Sequence, residues 1–168
     1  ARLLRFAGPE GEPMGVSRRE LIRMDADEVV AFIDEQKSLQ VACIGDDGWP
    51  HLTTLWFAIV DSCLAFGTYS RSQKIMNLRR NPRISVLLED GLIYEELRGV
   101  MIKGRAVLVD EPDSVQRYAR AIMERNQPDV DVEHLDEVAR HWAAKRTVVV
   151  VEPDETVSWD HTKLSGVY

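Results

Sequence analysis

The sequence predicts a mainly β (α+β) domain, a mostly antiparallel barrel of six to seven strands with helices packed on its outside. Three observations carry this prediction. Short β-prone runs recur along the 168 residues, tight-turn signals join the early runs as hairpins, and only a few helical periods interrupt them. The run from His51 to Val60 adds a constraint. One of its faces reads His51, Thr53, Leu55, Phe57, Ile59 and the other Leu52, Thr54, Trp56, Ala58, Val60. Both are substantially apolar, whereas a strand with one wet face would alternate more cleanly. The second face is most simply buried by another copy of the chain, so a two-fold homodimer is expected.

The elements follow in order. Ala1 to Glu20 carries Gly8, Pro9, Gly11, Pro13 and Gly15, punctuation too frequent for a helix or strand. Residues 1–23 are therefore read as an arm and 24–168 as the domain. Asp25 and Glu28 have capping-box spacing ahead of Val29, Val30, Phe32 and Ile33, which predicts a helix over 26–36. Residues 39–44 form a β-prone run, Asp46-Asp47-Gly48 is a turn signal, and Pro50 opens a run to Val60. A turn at Asp61-Ser62 leads into Cys63 to Thr68. Ser70 to Asn81 changes period to helical, and Pro82 ends it. Strands are expected over 83–89 and 97–109, then a helix from Pro112 and another from Asp131 with Val132, Leu135, Val138, Ala139 and Trp142 as its apolar stripe. Two final strands, Thr147 to Val151 and Thr156 to Trp159, complete the set.

Composition narrows the function classes. The formal charge is −7 and the pI near 5.1, which argues against a general nucleic-acid binder, because neutralising phosphates needs a basic surface. No stretch approaches the roughly 18 apolar residues of a membrane span. Two cysteines, Cys43 and Cys63, in apolar surroundings read as buried thiols. With no signal-peptide pattern, the expected compartment is cytoplasmic.

Against that acidity, Tyr69 to Leu88 holds Arg71, Lys74, Arg79, Arg80 and Arg83 and no acidic residue, a local +5. A strand ends at Thr68, and Ser72 stands where it would cap the next helix, leaving free N–H groups near Gln73 and Lys74. A helix start with hydroxyls and a lysine suits a phosphate. The same residues also fit a solvated basic helix paired with acidic segments elsewhere, and Arg79 and Arg80 suit the helix C-terminus. His134, Glu137 and His141 share a helix face without an evident fourth ligand, so no metal is assigned. No Gly-x-Ser-x-Gly elbow, Rossmann fingerprint or P-loop is present.

Four segments between about Met24 and Leu164 resemble the split-β-barrel flavin and deazaflavin oxidoreductases, the pyridoxamine 5'-phosphate oxidase-like superfamily. They are Pro50-His-Leu-Thr-Thr-Leu-Trp56; Phe66-Gly-Thr-Tyr-Ser-Arg-Ser-Gln-Lys74 with Asn77-Leu-Arg-Arg-Asn-Pro-Arg83; Leu97-Arg-Gly-Val-Met-Ile-Lys-Gly-Arg-Ala106; and Ser158-Trp-Asp-His-Thr-Lys-Leu164. The resemblance implies a cofactor at a dimer interface, its phosphate held by Thr68, Ser72 and Lys74. Departures from the oxidase pattern occur at His51, Trp56, Gln73 and Gly99, and its C-terminal Arg-Leu-x-x-Arg element is absent. These argue against tight FMN binding and pyridoxamine phosphate oxidation. The Asn-Leu-Arg-Arg-x-Pro-Arg, Glu-Leu-Arg-Gly and Trp-Asp-His-x-Lys-Leu runs are similar to the actinobacterial branch that uses the deazaflavin coenzyme F420, some members of which bind FMN, FAD, haem or biliverdin instead.

On that resemblance the expected function is hydride transfer from reduced F420 to a small organic acceptor such as an enone or quinone. Thr68, Ser72, Gln73 and Lys74 would take the phosphate, with Gly67 beside them. His51, Thr53, Thr54 and Trp56 would line the ring or its tail, and Trp159 with Lys163 would close the site from the other subunit. His51, Tyr94 or His161 could serve as proton donor, and nothing in the sequence selects among them. The alternatives are a non-catalytic protein that carries or sequesters deazaflavin, flavin or tetrapyrrole, and an FMN-dependent oxidase.

Overall fold

The computed structural model describes residues 17–127, 129 and 131–164. The elements run α1 (Arg18–Leu21), α2 (Ala26–Glu35), β1 (Ser38–Ile44), β2 (Pro50–Val60), β3 (Cys63–Tyr69), α3 (Gln73–Arg80), β4 (Arg83–Asp90), β5 (Arg98–Val109), α4 (Pro112–Asn126), α5 (Val132–Ala143) and β6 (Arg146–Asp160), with 3₁₀ turns at Tyr94–Glu96 and His161–Leu164. The six strands close a barrel in the order β1-β2-β3-β6-β5-β4, every pair antiparallel.

Local chemistry explains the boundaries. Asp25 accepts from the Glu28 N–H at 2.9 Å while Glu28 accepts from the Asp25 N–H at 2.7 Å, a reciprocal cap that starts α2. Asp61 and Ser62 both take positive φ, 52° and 60°, forming the two-residue turn that keeps β2 and β3 in register. Glu111 accepts from the N–H groups of Asp113 and Ser114 and starts α4 at Pro112.

Two sequence readings are corrected. Of the arm expected over 1–23, residues 1–16 lie outside the described residues, but 18–21 form α1, because Ser17 and Glu20 make a capping box just past the last of the glycines and prolines. The two final strands are one strand, β6. Pro153, between the two expected runs, sits opposite Gly104 beside a register shift, so the strand continues through a bulge. A side chain at Gly104 would meet the Glu152 carbonyl oxygen at 2.0 Å, so the bulge depends on that glycine.

The barrel core is Leu39, Val41, Phe57, Leu64, Phe66, Val86, Leu88, Val100 and Ile102 with their neighbours. Phe32 and Ile33 of α2 and Ile75 and Leu78 of α3 join the same cluster. The C-terminus of α2 contacts Asp90, whereas α3 contacts Cys43 and Ile44, so the helices close opposite ends. Among the described residues no helix is long and apolar enough to cross a membrane.

Candidate functional site

The wall of the barrel opens between β2 and β3. β2 and β3 pair only from Phe57↔Phe66 to Val60↔Cys63. Beyond Phe57, β2 stays with β1 while β3 stays with β6 as far as Tyr69↔Arg146. The strands therefore diverge, and the gap has Thr54 and Trp56 on one lip and Gly67 and Thr68 on the other. A cavity of about 790 Å³ lies there, backed by α4 and α5. These four sequence-predicted residues are thus brought together.

Polar atoms cluster along the same stretch of β2. Four buried side-chain atoms lack a hydrogen-bond partner among the described residues: Gln40 Oε1, Thr53 Oγ1, Arg125 Nε and Asn126 Oδ1. Gln40 pairs with Thr54 across the ladder, Arg125 stacks 4.7 Å from the Phe57 ring centroid, and Asn126 donates to the Phe57 carbonyl at 3.0 Å. All four lie around residues 53–57, and none of them lines the cavity.

From Thr68 the chain turns directly into α3. Ser72 Oγ caps it by accepting from the Ile75 N–H at 3.4 Å. Gln73 is exposed, its amide donating to Asn77 Oδ1 at 2.9 Å. Asn77, 1% exposed, also donates to Cys43 Sγ at 3.7 Å. Lys74 is only 5% exposed, and among the described residues it has no hydrogen bond or ion pair. Burial pushes its ammonium pKa below the ordinary lysine value, and Cys43 nearby raises it in part. Arg71, exposed beside it, likewise has no acidic partner among the described residues. By contrast, Arg79 pairs with Asp110 and Arg80 donates to the Ile44 carbonyl, so those two serve the helix end. An anion held by Lys74, Arg71 and the first N–H groups of α3 fits this arrangement, and a ring beside it fits the lips of the split.

The remaining predicted residues are placed differently. His51 and Thr53 face inward on β2, and His51 Nδ1 lies 3.9 Å from Cys43 Sγ rather than on the cavity wall. Trp159 stands at the opposite end of β6 from Arg146. Its ring fills the space over Gly99, where an added Cβ would meet it at 2.2 Å. Gly99 and Trp159 are therefore one packing unit. Lys163 donates to the Arg23 carbonyl at 2.8 Å and pairs with Glu28, tying the tail to its own α2. Within one chain neither residue reaches the split. Tyr94 and His161 contact each other at a distant corner, ring centroids 4.5 Å apart.

Sequence reasoning missed Gln40, Trp142, Arg146, Asn77 and Asn126. Trp142 read as an apolar stripe on a helix, and nothing in the sequence shows that its ring lies across Gly67, where a Cβ would meet it at 2.0 Å. Gly67 is thus required by Trp142.

The family pattern described as pyridoxamine 5'-phosphate oxidase matches residues 25–160. Among solved structures, the conserved hypothetical protein Rv2991 from Mycobacterium tuberculosis is 37% identical, with 91% of this chain and 95% of that one covered and a TM-score of 0.83. A structure described as an F420 reductase is 20% identical over 75% of this chain and 93% of that one, with a TM-score of 0.59. HutZ, a heme storage protein from Vibrio cholerae, is 15% identical over 79% and 94%, with a TM-score of 0.63. No curated protein matches.

Proposed function

Because the chain belongs to the pyridoxamine 5'-phosphate oxidase family, a fold that binds redox cofactors, we propose that it is a coenzyme F420-dependent oxidoreductase acting on a small organic acceptor such as an enone or quinone. The observation that carries this reading is Lys74, a largely buried side chain at the start of α3 whose ammonium has no hydrogen-bond or ion-pair partner among the described residues. Partial desolvation of an unpaired charge disfavours it, as its lowered pKa reflects, and an anionic phosphate would offset that cost.

When bound, the deazaflavin supplies the hydride; the chain supplies position. Lys74, Arg71 and the α3 N–H groups hold the phosphate, with Thr68 beside them. Thr54 and Trp56 on the outer face of β2 flank the ring, and Gln40, opposite Thr54 on the same face, offers it a hydrogen-bonding oxygen. Ser72 acts through the cap rather than by contact, since its hydroxyl already accepts from Ile75. Trp142 and the apolar ends of α4 keep water from the back of the cavity.

The outer face of β2 also supports a homodimer. Leu52 is 65% exposed and Trp56 48%, and a second copy laid on that face would bury them and complete the cofactor site. The far-end Trp159 and Lys163 would belong to that copy's side of the interface.

The test is reoxidation of reduced coenzyme F420 by a panel of enones and quinones, followed by absorbance. Turnover that falls at least about tenfold on Lys74→Ala supports the reading. Tight binding without turnover across the panel would instead make the protein a carrier of the cofactor.

A further inference from the structure

The cavity behind the split has a chemical character of its own. Its deep wall, Ile122, Met123, Val138 and Trp142, is apolar, and Arg146 is its single charged lining residue among those described. The Arg146 guanidinium is sandwiched, 4.3 Å from the Tyr69 ring centroid and 4.4 Å from that of Trp142. Nη1 donates to the Trp142 carbonyl at 3.0 Å. Other surface arginines of this chain, such as Arg79, Arg98, Arg117 and Arg120, meet carboxylates. Arg146 meets none among the described residues.

An arginine keeps its charge at any physiological pH and presents a planar fork that matches a carboxylate. Two flanking rings hold this fork rigid before any ligand arrives, so little rotamer freedom is lost when it pairs. The surrounding walls favour flat apolar surface, and the volume is that of a small-molecule site.

We propose that this cavity binds the acceptor, and that the acceptor is a flat, mainly apolar organic molecule bearing one carboxylate, which Arg146 pairs with. The proposal rests on the reading of the split as a cofactor site with an acceptor pocket behind it. The lips, Thr54, Trp56 and Thr68, take the cofactor ring; Arg146 fixes the far end of the acceptor and so turns its apolar body towards the lips. Arg146 is then a specificity residue, and uncharged acceptors of the same shape are poorer ligands.

Calorimetric titration with 1-naphthoate and with its neutral isostere 1-naphthamide tests this on the full chain. The wild type should prefer the carboxylate by at least about tenfold. Arg146→Gln should bring the two to parity, and Arg146→Lys, which keeps the charge without the fork, should retain part of the preference. Val138→Trp, at a position already 41% exposed, should weaken both ligands by filling the cavity while leaving Arg146 in place. Equal affinities in the wild type, a preference that survives Arg146→Gln, or indifference to Val138→Trp overturns the proposal. A parallel titration with oxidised F420 separates the two readings. If Arg146→Gln abolishes F420 binding and spares naphthoate, the arginine serves the cofactor and the acceptor proposal falls. If Lys74→Ala leaves F420 binding intact, the cofactor reading falls whatever naphthoate does.

Discussion

Lys74 sets function against stability within one side chain. Its side chain is largely buried, its ammonium has no hydrogen bond or ion pair among the described residues, and desolvation lowers its pKa. The native chain therefore gives up this proton at lower pH than the unfolded chain does. Between the lowered native value and the ordinary lysine value the unfolded state binds more protons, so stability rises with pH across that alkaline window. Below it the penalty is fully present. Lys74→Met should accordingly stabilise the free protein at neutral pH, and that advantage should shrink as the pH rises through the window. Urea unfolding of both proteins at about pH 7 and about pH 10 measures this. At this scale the sequence was informative where chemistry is local. Thr68, Ser72 and Lys74 were legible because the strand end, the cap and the charge excess lie within a few residues of one another. Gln40, Trp142 and Arg146 were not, since what gives them a role is contact between β1, α5 and β6 and the lips of the split.

At the scale of elements, the end of α4 pins the split open. Arg125 Nη2 donates to the carbonyls of Ile33 at 2.8 Å, Asp34 at 3.0 Å and Gln36 at 3.0 Å, at the C-terminal end of α2. Its neighbour Asn126 takes the Phe57 carbonyl where the β2–β3 ladder stops. Arg125→Met keeps much of the stacking volume on Phe57 and removes the charged donor, so a loss of about 2–3 kcal/mol is expected in urea unfolding. Arg98 does related work at the other edge of α2, bridging Asp90 and Glu35; the Glu-Leu-Arg-Gly run that contains it is thus structural in this chain. Periodicity located β2 and α2 well because cap and turn residues bracket them. It divided β6 in two between Val151 and Thr156, and only the partner strand, with Gly104 opposite Pro153, shows that the irregularity is a bulge.

The six strands form a closed barrel whose wall opens between β2 and β3, and the opening lies beside an exposed apolar face. Leu52 and Trp56 on that face carry the expectation of a two-fold dimer that completes the cofactor site. Leu52→Asp should leave the barrel core untouched and shift the protein to monomers, read by light scattering, with F420 binding weakened in parallel. A monomeric wild type with intact binding would contradict it. The central claim is that the split and the start of α3 form a deazaflavin site anchored by Lys74. It is tested most directly by titrating the wild type and Lys74→Met side by side with oxidised coenzyme F420 and with FMN. Micromolar or tighter F420 binding, weaker FMN binding and at least about a tenfold loss of F420 affinity in the variant are predicted. A preference for FMN, or an affinity for F420 indifferent to Lys74, would contradict the account.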